Sequence, residues 1–108
     1  MDFLLNEDQR ALQGAVARIT ARFDETYWLT RDREGGFPAE FADAMAADGW
    51  LGIAMPEAHG GAGLGITEAA LMMQSVAGGP GAFAAASSIH LNIFGLNPVV
   101  VFGTDGQR

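Results

Sequence analysis

Leu51-Gly52-Ile53-Ala54-Met55-Pro56-Glu57-Ala58-His59-Gly60-Gly61-Ala62-Gly63-Leu64-Gly65 holds five of the chain's 15 glycines, and how this run is read decides the fold. A dinucleotide-binding turn would need G-x-G-x-x-G between a strand and a helix. Gly61 and Gly63 supply two of those glycines, but Ile66 stands where the third is required. A Walker A loop needs a lysine, and the chain has none. The flanking segments carry helical periodicity. The run is therefore a structural loop with backbone angles that only glycine tolerates. The fold class is all-α: a small bundle of four or more helices with Gly-rich connections, one domain over residues 1–108.

Upstream, Asn6 and Gln9 form the pattern of a capping box. Leu12, Ala15, Val16, Ile19 and Phe23 then recur at three- and four-residue steps, which predicts an amphipathic helix to about Phe23. The polar segment Asp24–Gly36 reads as a connecting loop anchored by Tyr27 and Trp28. Pro38 suits the first turn of a second helix, whose apolar face is Phe41, Ala44 and Met45. Gly49 is placed to end it, with Trp50 packing back on its last turn.

Downstream, Thr67 is placed to cap a third helix, Glu68–Ala77, which is apolar nearly all round. Gly78-Gly79-Pro80-Gly81 breaks it, and a fourth helix runs from Ala82 to about Phe94. Gly95 and Pro98 follow, then the short apolar piece Val99-Val100-Val101-Phe102. Thr104 or Asp105 would cap a further helix, which reads as a truncation point at Arg108.

Thirteen acidic residues against six arginines give a net charge of −7, which argues against nucleic acid or an anionic membrane as the main partner. With no cysteine there is no disulfide framework and no thiolate chemistry. The opening Met1–Asp8 stretch has no basic region and no long apolar run, so a cytoplasmic location is expected. From Ala58 to Thr104, Glu68 is the sole formal charge. A small domain cannot normally cover so apolar a half by itself, so either something outside this chain is expected to cover it or it sits on a dimer or membrane. Residues 82–102 have the length of a membrane span, but Ser87, Ser88, His90, Asn92 and Asn97 interrupt them and no apolar run exceeds five residues. No membrane span is expected; the fourth helix reads as buried and followed by a break.

Candidate chemistry is sparse. His59 and His90 have no metal-ligand spacing, so no metal site is expected. His90 reads as a core contact or as the lining of a ligand cavity. Ser87 and Ser88 lie near His90, but G-x-S-x-G is absent. Glu57 and Glu68 read as structural, the latter favoured by its helix dipole. No catalytic set emerges.

Together, several motifs resemble the N-terminal helical domain of the flavin-dependent acyl-CoA dehydrogenases. They are Asp8-Gln9-Arg10 with Leu12; Phe37-Pro38-x-x-Phe41; Gly49-Trp50-Leu51-Gly52-Ile53; Pro56-Glu57-x-x-Gly60-Gly61-x-Gly63; and Asn97-Pro98 leading to Gly103-Thr104-Asp105-x-Gln107-Arg108. The resemblance covers essentially the whole chain. It implies a larger enzyme with a middle β-domain and a C-terminal helical domain. Such an enzyme uses FAD to oxidise acyl-CoA to 2,3-enoyl-CoA, passes electrons to an electron-transfer flavoprotein, and is a homo-oligomer. The usual base and most flavin contacts lie in the other two parts, so this chain alone is expected to be inactive and to bind no FAD. Carried over by position, Ala86, Ser87, His90, Leu91 and Phe94 would wall the acyl-tail pocket. Two other readings are a stand-alone helical interaction or self-association module, and an acyl-binding module without chemistry.

Overall fold

A computed structural model describes residues 3–108; Met1 and Asp2 of the opening stretch lie outside the described residues. Six α-helices and two single 3₁₀ turns follow one another, with no strand among the described residues. Helix α1 is Glu7–Ala21. Asn6 Oδ1 accepts the Gln9 N–H at 2.8 Å, and Gln9 Oε1 accepts the Asn6 N–H at 3.1 Å, so the capping box is complete. Leu12, Val16 and Ile19 point inward from this helix, with Thr20 buried beside them. The Thr20 hydroxyl is satisfied by donating to Ala17 O at 2.9 Å.

The polar segment expected to be a loop is a helix, α2 (Glu25–Glu34). Asp24 caps it by accepting the Tyr27 N–H at 3.0 Å, Glu25 and the arginines 31 and 33 complement its dipole, and Gly35 at φ 75° ends it. No α2 residue is fully buried, so the hydrophobic pattern gives no sign of it. The aromatic anchoring is present nonetheless. Trp28 packs edge-on against Phe41 at 5.3 Å and Tyr27 at 5.1 Å, and its Nε1 donates to Phe23 O at 3.2 Å.

Helix α3 (Ala39–Ala47) starts one residue after Pro38, which is its N-cap, and buries Phe41, Ala42 and Met45. Ala42 therefore takes the buried place expected of Ala44, which is partly covered. Gly49 sits at φ 82°, and Trp50–Gly52 make a 3₁₀ turn whose Trp50 packs on the core. Helix α4 is Ile66–Ala77 with Gly65 as N-cap, so Thr67 lies within the first turn and does not cap it. Helix α5 is Ala82–Ile93, and the apolar piece beyond it is a short helix, α6 (Asn97–Phe102), which Pro98 opens.

The core joins α1, α3, α4 and α5 around Phe41, Met45, Ile53, Met72, Val76 and Ile89, all under 2% exposed. Only one stripe of each late helix takes part: Ala69, Met72 and Val76 on α4, and Ala85, Ile89 and Ile93 on α5. The expectation of a fully buried fourth helix is thus corrected. Phe83 is 82% exposed, Leu91 72% and Phe102 85%. The radius of gyration, 14.7 Å, exceeds the roughly 13 Å usual for this length. One core layer covers one side of α5 and leaves the other open. Residues 82–102 are long and apolar enough to cross a membrane by length and composition alone, with 17% of the tested window buried and a turn at 94–96 between α5 and α6.

Candidate functional site

The Gly-rich run folds back on itself. Gly61, Ala62, Gly63 and Leu64 direct their N–H groups to the carbonyls of Pro56, Gly52, Met55 and Ile53, at 2.8–3.1 Å. Gly60 and Gly63 are left-handed, at φ 86° and 69°. A Cβ on Gly61 would lie 2.2 Å from Met55 O. These amides are already hydrogen-bonded, so the loop has no row of free donors to cradle a phosphate. Its role is to fix the wall facing α5.

That wall and the helices beyond it enclose an apolar cleft of about 420 Å³, lined by Ala54, Met55, Leu64, Ile66, Ile93, Phe94, Asn97 and Val100. Asn97 carries the only polar side chain among them. Of the five positions expected to face an acyl tail, Phe94, the C-cap of α5, alone lines this cleft; Ala86, Ser87, His90 and Leu91 stand on α5 outside its lining. At 100° per residue, Ala86 to Leu91 span about 140° of the helix, next to its buried stripe. Ser87, His90 and Leu91 are exposed, whereas Ala86 and Phe94 are half-buried. The His90 and Phe94 rings meet at 5.4 Å, tilted by 43°. Phe94 belongs both to this face and to the cleft. His90 is therefore not the core contact that one reading allowed.

Neither serine forms a catalytic pair with His90: Ser88 Oγ donates to Ala85 O at 2.7 Å, and Ser87 has no bond to the imidazole. His59 lies apart, on the rim of a smaller cleft with Met55, Leu96 and Val99. Among the described residues no three of His, Asp or Glu gather as metal ligands. Glu68 is half-buried in the first turn of α4 and accepts a long bond from Gln9 Nε2 at 3.5 Å, so it ties α4 to α1. What the arrangement offers chemically is an apolar cleft whose lining carries no acid or base, with the His90 imidazole on the neighbouring exposed face of α5.

Residues 6–108 match the family described as "Acyl-CoA dehydrogenase, N-terminal domain". The chain belongs to the acyl-CoA dehydrogenase family. It is 32% identical to acyl-CoA dehydrogenase FadE12 of Mycobacterium tuberculosis over 98% of this chain, which covers 27% of that relative. Over 73% of the chain it is 34% identical to benzylmalonyl-CoA dehydrogenase of Aromatoleum aromaticum, covering 21% of it. The chain thus spans about a quarter of the length of these relatives, at their N-terminal helical domain. No solved structure matches.

Reading the sequence alone missed the cleft, because its lining comes from residues some 30–40 positions apart across the loop and α5. The one available signal was the absence of charge from Ala58 to Thr104.

Proposed function

We propose that this domain works as one side of an acyl-CoA dehydrogenase that oxidises acyl-CoA to 2,3-enoyl-CoA with FAD, and that its α5 face walls the acyl-tail pocket. The observation that carries this reading is the division of α5. Ala85, Ile89 and Ile93 are buried in the domain's own core, while Ala86, Ser87, His90, Leu91 and Phe94 remain on the adjoining face, whose Phe94 end meets an apolar cleft. A fatty-acyl tail placed there gains about 0.8 kcal/mol per buried methylene, and the face holds no fixed charge to oppose it. The remaining domains of the same enzyme cover the exposed Phe83, Val101 and Phe102.

FAD carries a diphosphate and a hydrogen-bonding ring edge. Phe83, Leu91, Val101 and Phe102 have no donors for either, and the amides of the Gly-rich loop are already taken. These residues do not fit the cofactor's polar half, so its contacts and the catalytic base belong to the other domains, and no step through flavin is assigned to this chain. The chain's own contribution is to bound the tail and exclude water. An electron-transfer flavoprotein as acceptor, a homo-oligomeric state and a cytoplasmic location belong to the same reading.

The test is the intact mass and visible absorbance of the native protein purified from its source. A species much heavier than 11.3 kDa, with flavin absorbance bleached by an acyl-CoA, is expected. A colourless species of 11.3 kDa would overturn the reading and leave a stand-alone interaction or acyl-binding module.

A further inference from the structure

Helix α2 has no counterpart in the expected tail pocket, and one of its faces forms a second groove. Glu25, Trp28, Leu29 and Asp32 stand at i, i+3, i+4 and i+7, and with Pro80 and Ala84 they line a groove of about 360 Å³. We propose that this groove docks a protein segment presenting an aliphatic side chain between two cationic side chains about two helical turns apart.

Three observations converge on that occupant. The first is charge. Glu25 and Asp32 stand roughly 10 Å apart along the helix axis, two turns at 1.5 Å per residue. Neither forms an ion pair among the described residues. The facing wall, Pro80 and Ala84, belongs to the uncharged half of the chain, so the two carboxylates are the formal charges in the groove. Arg33, about 40° round the helix from Leu29, does not line the groove, and Arg31 is paired with Glu34 at 3.2 Å. The second is preorganisation. The Trp28 indole is fixed by its bond to Phe23 O and by Phe41, and the chain at Gly81 passes so close that a Cβ there would stand 2.3 Å from the ring. A rigid aromatic wall binds with little loss of side-chain freedom. The third is size. Leu29 is 52% exposed beside this ring, and the groove has room for one or two aliphatic side chains.

The spacing selects against simpler ligands. One ammonium ion or metal cation cannot bridge two carboxylates so far apart. A second copy lacks the matching element: Arg10 and Arg18 on α1 flank Gln13 and Gly14, and Ile19 beside Arg18 and Arg22 is buried. The inference does not depend on the acyl-tail reading, since the two residue sets share no member.

The experiment uses the whole chain and two alanine-based helical peptides. One carries arginines seven residues apart with leucines three and four after the first; the other has glutamates in place of the arginines. Binding is read from the Trp28 indole N–H signal by NMR, assigned with Trp28→Phe. The arginine peptide is expected to shift that signal saturably, and the glutamate peptide is not. E25Q/D32N should weaken binding about fivefold, as should raised salt on the unaltered chain. Asp24 caps α2, so the double variant keeps its helix, and circular dichroism checks this. No shift at Trp28 with the arginine peptide overturns the proposal. An equal shift with both peptides does so too, as does burial of Trp28 by self-association without peptide.

Discussion

Replacing Gly81 with alanine tests how the α4–α5 turn is held against α2. The Gly81 backbone is ordinary, with φ −81°, so the substitution carries no backbone strain. The conflict is steric. A Cβ would lie 2.3 Å from Trp28 Cε2, 2.6 Å from Cζ2 and 2.7 Å from Ala85 Cβ. The Trp28 ring cannot simply rotate away, because it is bonded to Phe23 O and packs edge-on against Tyr27 and Phe41. Over-packing of this kind costs about 1–3 kcal/mol. Displacing the indole adds about 1 kcal/mol for its hydrogen bond. A loss of about 3 kcal/mol lowers the melting temperature of a domain this size by roughly 10 °C or more. Thermal unfolding followed by far-ultraviolet circular dichroism measures the loss, and near-ultraviolet dichroism reports the indole directly. A Gly81→Ala chain that melts within a degree or two of the parent, with its tryptophan bands unchanged, would refute the reasoning.

Ala82, the next residue, is the one described non-glycine residue at positive φ, 45°, so Ala82→Gly should raise stability by about 0.5–1 kcal/mol in denaturant titration. A decrease would show that the left-handed backbone carries no strain. Burial is the main influence raising the Tyr27 phenol above its usual 10.0; the negative charge of Glu40 adds to it, while a backbone hydrogen bond at Phe41 and the charge of Arg31 oppose it. The folded state therefore holds the proton more tightly than the unfolded state. Its stabilising contribution is complete below pH 10.0 and is lost as pH rises through the raised value. Tyrosinate absorbance should titrate above that point in the folded chain, and Tyr27→Phe should remove this part of the alkaline loss of stability. A phenol that titrates at or below its usual value would contradict the assignment.

Much of the early fold was legible because its signals are local. Asn6 and Gln9 complete a box across three residues, Leu12, Val16 and Ile19 share a stripe, and Gly49 supplies the left-handed turn after α3. Helix α2 escaped because its composition is polar and its capping residue, Asp24, was read as part of a loop. The candidate tail face was reached by resemblance to the family and not by periodicity, since Ala82–Ile93 is apolar on more than one side. The cleft and the groove on α2 each need a second wall from a distant part of the chain, so no local pattern locates them.

Helical class, membership in the acyl-CoA dehydrogenase family and the run from Ala58 to Thr104 with Glu68 as its sole formal charge are all legible in the residues alone. Caps, glycine turns and charge gaps act within a turn or two of chain, and so they can be read directly. Packing between distant segments settles which stripe of α4 and α5 is buried, how α2 is braced through Trp28, and where the two grooves lie. Those outcomes depend on contacts such as Gln9 with Glu68 and Trp28 with Gly81. Where a helix is apolar on more than one side, the helices packed against it set its inward face, and for α4 these include α1, tens of residues away.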